Sequence, residues 1–280
     1  MRIANLSGRL VIVSGEAAFD VETLSGGEFS SDPQAVFDRW SDFTSWAAGA
    51  ELVGGASFSH SELEAPAPSP RQIFAIGLNY HDHASEVGLI ASEVPLVFTK
   101  FVSSIAGPRA DIPHPGGDVD WEVELVVVIG AEARNVSAAS AWDYVAGVTA
   151  GQDISERVTQ HLGGTPQFSL GKSFPAFTPM GPWIVTPDEL PAPDDLAVTT
   201  TVNGETMQDG RTSDMVASVP MLIEALSRIL VLLPGDLIFT GTPAGVGLGM
   251  KPPRYLSVGD ELVTRIEGIG EMRNRIVSGV

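Results

Sequence analysis

The sequence predicts a chain that is mainly β with some α (α+β), built as a small N-terminal β/α unit with its linker over residues 1–70 and a large mixed-β domain over 71–280. Three observations carry this. Short apolar runs bounded by Gly, Pro or Asp recur through the second part, as in a strand-rich domain with many turns. One stretch there keeps a helical period. Between the two parts the texture changes at "SELEAPAPSPRQ", residues 61–72, which reads as a linker or an extended crossing.

Taken in order, "LVIV" (10–13) and "AAFDVETL" (17–24) read as short β pieces. "DPQAVFDRWSDFTSWAAG" reads as a helix begun by Asp32-Pro33 and stopped at Gly49. After the crossing, "IFAIGL", "PLVFTKF", "VELVVVIG", "PWIVT", "AVTTTVNG" and "DLIFTGT" read as strands. Asn203-Gly204 is a two-residue hairpin signal. In "SVPMLIEALSRILVLLPGD", Pro220 stands near the start and Pro234-Gly235 after the end. Leu222, Leu226, Ile229 and Leu233 recur there at helical spacing, which predicts a packed helix.

Composition narrows the function. With 44% hydrophobic and 18% charged residues, 280 residues carry ample material for a core. The 35 acidic residues against 16 basic ones give a net charge of −19, which repels nucleic acid and anionic membrane; neither is an expected partner. No window resembles a membrane span and the opening lacks the marks of a signal peptide, so the expected location is the cytoplasm. The absence of cysteine removes disulfides, thiolate metal sites and cysteine nucleophiles. Neither GxSxG nor HExxH occurs, against serine hydrolases and zincins. An anionic substrate would need a metal or a few specific basic residues to overcome the overall field.

The stretch "VDWEVELVVVIG", residues 119–130, raises the chemical question. In a strand Glu122 and Glu124 share one face. An edge strand with one wet face would explain them. However, the run continues apolar on both faces, and burying two unpaired carboxylates side by side is costly. Hard Mg²⁺, Mn²⁺ or Ca²⁺ would resolve the conflict with oxygen ligands, given a third carboxylate nearby. Asp153 in "GQDISER" is the candidate; capping of the turn 154–160, with Glu156, accounts for it equally well.

In "GLNYHDHASEVG", residues 77–88, His83 and Glu86 face the same way at helical spacing, as in a general base oriented by a carboxylate. A polar surface turn is the plainer alternative. Lys100 and Lys172 stand in apolar surroundings, as ion-pair partners or anion-binding groups, and Arg157 is a similar case. The Gly-rich "FTGTPAGVG", 239–247, lacks the residues of a nucleotide loop, yet its amides and Thr242 suit a small carboxylate.

The blocks "GLNYHDHASE", "DWEVEL", "GQDISER…Q", "LGKSF…GPW", "NGETMQDGRTSDM" and "PGDLIFTGTPAGVG" fall in an order that resembles the fumarylacetoacetate hydrolase family over residues 71–277. The resemblance implies a mixed β-sandwich roll with a small N-terminal α/β domain, and a homodimer. It places Mg²⁺ or Mn²⁺, with Ca²⁺ a further option, on Glu122, Glu124 and Asp153. It makes His83 and Glu86 the catalytic dyad, on a lid from Tyr80 to about Val94, and sets Lys172 beside the reacting carbonyl. Tyr80, Arg157, Gln160 and Thr242 fall at substrate-binding positions. Long mammalian members carry a further acidic ligand before the histidine; here Ile76 stands there, so three carboxylates are expected.

The implied substrate is a small anionic keto acid. The implied reaction is metal-dependent hydrolysis of a C–C bond in a 2,4-diketo acid (acylpyruvate or fumarylpyruvate type), releasing pyruvate through a metal-chelated enolate. Oxaloacetate decarboxylation and hydroxydienoate isomerisation remain as alternatives on the same site. A metal-stabilised binding protein without catalysis is disfavoured, because every implied catalytic and metal position is filled.

Overall fold

The computed structural model describes residues 1–86, 88 and 94–279; of the expected lid, 87 and 89–93 lie outside the described residues. In chain order the elements that build the site are Arg2–Leu6 (β1), Arg9–Ser14 (β2), Ala17–Asp20 (β3), Trp40–Ala47 (α1), Leu63–Glu64 (β4), Ile73–Gly77 (β5), His81–Glu86 (α2) and Leu96–Thr99 (β6). Val123–Ile129 (β7), Val145–Gln152 (β8), Arg157–Gln160 (α3), Phe168–Gly171 (α4) and Thr178–Val185 (β9) follow. Ala197–Val202 (β10), Glu205–Arg211 (β11), Val219–Ser227 (α5), Leu237–Phe239 (β12), Glu261–Ile266 (β13) and Gly270–Ser278 (β14) complete the set.

The large sheet runs in the order β3-β2-β1-β9-β8-β7-β12-β5-β6, and a second sheet in the order β11-β10-β13-β14. β1 pairs with β9 through Arg2↔Val185 and Ile3↔Ile184, so strands from both parts of the chain share one sheet. The stretch after residue 61 is the extended crossing: β4 pairs with β1, and Ala65 and Ala67 are buried. Asn203 and Gly204 both have positive φ, 52° and 83°, and close the β10–β11 hairpin as the sequence predicts.

β7 is buried on both faces. Val126 and Val128 pack with Ile3, Phe37 and Phe43, whereas Val123, Leu125, Val127 and Ile129 pack with Leu222, Ile223 and Leu226 of α5. This double burial explains the unbroken apolar run.

Two helices are shorter than the sequence suggests. The expected helix over 32–49 divides into a 3-10 turn, Ala35–Arg39, and α1. They meet at Arg39, whose guanidinium donates to the Glu28 carbonyl (3.0 Å) and lies over the Phe29 ring. α5 ends at Ser227, whose carbonyl accepts from Asn135 N–H (2.9 Å) and whose hydroxyl oxygen accepts from Val136 N–H (3.0 Å). The chain then turns to pair Leu232 with Ala133, leaving Ile229 87% exposed despite its helical spacing.

Strand direction positions the site. β5 and β12 are parallel, so the loops that follow them open at the same end of the sheet. β7 runs antiparallel to both β12 and β8, so its start lies at that end, together with the end of β8. Glu122, Glu124, Asp153, His83 and the 240–249 loop therefore converge there.

Candidate metal and active site

The run 119–130 is not one strand. It breaks at Trp121–Glu122, between a short pair of residues, Val119–Asp120, and β7. Two glutamines repair the ladder: Glu122 N–H donates to Gln152 Oε1 and Val123 N–H to Gln208 Oε1, both at 2.9 Å. Asp153 N–H donates to the Glu122 carbonyl (2.9 Å), which ties the two acidic segments together directly. Glu122, Glu124 and Asp153 are buried, and each offers an oxygen within 4.8 Å of the others. Asp153 does not cap the following turn; Glu156 does, accepting from Val158 N–H (3.0 Å) and Thr159 N–H (2.7 Å).

Three cations back this cluster. Lys172 Nζ donates to Glu122 Oε2 and Asp153 Oδ2, each at 2.6 Å, and Lys100 Nζ donates to Asp153 Oδ1 and to the Lys172 carbonyl. Arg157 bridges Asp120 Oδ2 (2.7 Å) and Glu122 Oε1 (2.8 Å). Burial would push the Glu122 carboxyl up, but Lys172, Arg157 and His83 outweigh it and bring it down to about 2. Glu124 goes the other way. Burial, then the charges of Asp153 and Glu122, hold its carboxyl well above the ordinary range. The lysines also diverge: burial lowers Lys100 despite Asp153, whereas Asp153 and Glu122 raise Lys172 against its burial.

Glu124 has no ion-pair partner among the described residues and accepts one backbone hydrogen bond, from Gly241 N–H (2.8 Å). An all-oxygen set with one under-compensated buried carboxylate fits a hard divalent cation. Glu122, Glu124 and Asp153 would hold it.

The second half of the site is α2. His83 is buried, and its Nδ1 lies 3.3 Å from Glu86 Oε2. Glu86 Oε1 accepts from Gly245 N–H (2.9 Å), and Asp82 Oδ2 from Ala244 N–H (3.4 Å). The same loop also serves the first half, donating from Gly247 N–H (2.7 Å) and Leu248 N–H (3.0 Å) to Asp120. Its glycines are required. At Gly245, φ is 102° and a Cβ would lie 2.0 Å from the Met207 carbonyl oxygen. The loop that the sequence suggests for a bound carboxylate thus holds four of the chain's own, those of Asp82, Glu86, Asp120 and Glu124.

A cavity of about 350 Å³ joins the two halves, walled by Glu122, Glu124, His83, Arg157, Gln160, Lys172 and Thr242. Thr242 Oγ1 accepts from Gln208 Nε2 (2.7 Å), and the buried Gln160 Nε2 has no partner among the described residues. Ile76 also lines the cavity, where an additional acidic ligand would stand. The structure sets Tyr80 apart from the other expected substrate contacts. It is buried outside the cavity wall, bridging to Met215 in the backbone, with a hydroxyl that has no partner among the described residues.

Residues 72–277 match the fumarylacetoacetate (FAA) hydrolase C-terminal family. The chain belongs to the fumarylacetoacetate hydrolase family. This family membership agrees with the fold: the chain superimposes on a Mycobacterium smegmatis crystal structure named HpcE with a TM-score of 0.96 and 50% identity, covering 100% of both chains. Maleylpyruvate hydrolase from Sphingobium sp. SYK-6, in complex with manganese(II) and pyruvate, matches with a TM-score of 0.80 and 30% identity, again over 100% of both chains. Human mitochondrial oxaloacetate tautomerase FAHD2A is 41% identical over 215 residues, 76% of this chain and 68% of its own. The protein is therefore a mixed α/β, β-rich enzyme of this family, with a buried triple-carboxylate site suited to a divalent metal.

Sequence reasoning assigned no role to Asp120. It is fully buried and takes five donated hydrogen bonds, two of them from Arg157. The only signal was its position two residues before Glu122.

Proposed function

We propose that the protein hydrolyses the C–C bond of a 2,4-diketo acid of the acylpyruvate type and releases pyruvate. The observation that carries this is His83, paired with Glu86, standing on the wall of the same cavity as Glu122 and Glu124 of the buried carboxylate cluster. In this reading His83 takes a proton from water while Glu86, fixed by Gly245 N–H, orients the ring. The hydroxide oxygen adds to the carbonyl carbon at position 4. The C3–C4 bond breaks with its electron pair going to C3, and the resulting pyruvate enolate takes a proton. The products are one carboxylic acid and pyruvate, with the water oxygen in the acid.

A bound Mg²⁺ or Mn²⁺ would polarise the keto-acid oxygens and stabilise developing enolate charge. The manganese and pyruvate of the Sphingobium hydrolase support that choice. Charge balance supports it too. Lys100, Lys172 and Arg157 face four carboxylates, Asp120, Glu122, Glu124 and Asp153; with all four ionised, a divalent cation leaves a net positive pocket that attracts an anion. The unpartnered Gln160 Nε2 is a donor for a substrate oxygen.

A second reading, tautomerisation of oxaloacetate, is favoured by the likeness to the human tautomerase. It uses the same dyad to move a proton at C3 without cleavage. The two are separated by pyruvate release from acetylpyruvate, fumarylpyruvate and oxaloacetate, with and without Mg²⁺ or Mn²⁺, alongside the keto–enol absorbance change of oxaloacetate. Metal-dependent cleavage of an acylpyruvate supports hydrolysis; enol–keto exchange of oxaloacetate with no acylpyruvate cleavage overturns it.

A further inference from the structure

The cavity changes character from floor to mouth. Its floor is the ionised cluster. Its upper wall is apolar, formed by Leu78, Leu96, Phe98, Pro166, Phe168 and Leu248. Phe98 and Phe168 contact each other with ring centroids 5.6 Å apart, and Lys172 Nζ lies 5.1 Å from the Phe98 ring, so the apolar wall begins directly above the charged floor. Leu96 is 42% exposed, which places this wall at the entrance.

Among the described residues that line the cavity, no lysine or arginine stands free for a second anionic group. Arg157 and Lys172 are engaged by Asp120, Glu122 and Asp153. His83 is engaged by Glu86. His161 turns its Nδ1 inward, 2.8 Å from the Arg157 carbonyl. The described segments that border the mouth, 94–99 and 161–171, contain no lysine, arginine or carboxylate. A carboxylate lying along this wall would be desolvated without a lysine or arginine to pair with, within a chain of net charge −19.

We infer that the group beyond the cleaved carbonyl is uncharged and apolar, an alkyl or aryl acyl chain and not a second carboxylate, a conclusion that rests on the acylpyruvate reading above. The substrate then has one anionic end, held at the floor, and one apolar end against Phe98, Phe168 and Leu96. Water addition and C3–C4 cleavage would convert it to pyruvate and the corresponding monocarboxylic acid.

The test uses the full chain loaded with Mn²⁺ and has two arms. In the first, kcat/KM is measured for acetylpyruvate, hexanoylpyruvate, benzoylpyruvate and fumarylpyruvate. Hexanoylpyruvate or benzoylpyruvate should exceed fumarylpyruvate by at least about tenfold. In the second, calorimetry compares binding of 2-oxohexanoate with 2-oxoadipate, which differ by one carboxylate and need no turnover. The neutral-tailed acid should bind at least about tenfold more tightly, and Phe168→Arg should reduce or reverse that preference.

Equal or better use of fumarylpyruvate, or equal or tighter binding of 2-oxoadipate, overturns the inference while leaving hydrolysis intact. Tighter binding of 2-oxohexanoate with no cleavage of any acylpyruvate overturns the hydrolase reading and leaves the apolar tail standing.

Discussion

The two halves of the site are held in opposite ways. The carboxylate half grows from the ends of β7 and β8, in the middle of the large sheet, and every residue in it is buried. Glu122 alone is gripped by Lys172, Arg157 and a backbone bond from Asp153. The His83–Glu86 half sits on a helix of six residues, anchored through Glu86 and Asp82 to the amides of Gly245 and Ala244. One half is over-determined by ion pairs; the other hangs on a few hydrogen bonds to a loop. A rigid floor that holds charge and a lightly held base above it suit a reaction in which substrate must enter between them.

This contrast can be broken most directly from the floor. Glu122→Ala and Asp153→Ala should each abolish Mn²⁺ binding and lower turnover by about a thousandfold or more. Each removes one of the two carboxylates that pair with Lys172, and Asp153→Ala also takes away the carboxylate paired with the buried Lys100, a loss that costs about 3–5 kcal/mol, so Glu122→Gln and Asp153→Asn serve as gentler companions. Calorimetric Mn²⁺ titration beside the pyruvate assay reads both effects. A metal-free variant with full activity would remove the floor from the chemistry.

The upper half should respond without disturbing the lower. His83→Ala is expected to reduce hydrolysis by about 10²–10⁴-fold with Mn²⁺ affinity largely unchanged. If the metal is released instead, His83 is a ligand and the division into halves fails. Glu86→Gln should cost less, about 10–100-fold in kcat, because the amide oxygen can still accept from Gly245 N–H but no longer offers a charge to the imidazole. Equal losses for Glu86→Gln and His83→Ala would show that the ring is useless without the carboxylate.

What the sequence made legible follows the same division. Glu122 and Glu124 stand out because the apolar run around them leaves no other place for a carboxylate, and His83 and Glu86 because their relation is local. Asp153 could not be separated from a helix cap by pattern; the structure does so by giving the cap to Glu156. Asp120 escaped because its partners are distant in sequence, Arg157 by 37 residues and Gly247 by 127. The break at Trp121–Glu122 depends on Gln152 and Gln208 standing in for backbone acceptors, which no periodicity reports. The end of α5 at Ser227 is likewise a tertiary event, set by the 135–136 segment, and the β10–β11 hairpin a local one that Asn203-Gly204 announces.

The smallest predicted effect distinguishes two neighbours within the floor. In the metal-free protein Glu122 is lowered to about 2, so it is ionised at any ordinary pH; its contribution to stability is present above the unfolded value and fades as pH falls towards about 2. Glu124 is raised, so it keeps its proton to a higher pH than an unfolded glutamate, and its ionisation counts against the metal-free fold as pH rises. A cation that binds must therefore expel the Glu124 proton but none from Glu122. Mn²⁺ affinity should fall on acidification already above the ordinary carboxylate range, by no more than about tenfold per unit. Calorimetry in two buffers of different ionisation enthalpy should show up to one proton released per metal bound at such pH values. Flat affinity and no proton release would mean that Glu124 is already ionised beside Asp153 and Glu122, and that the three cations behind the cluster compensate all of it without help.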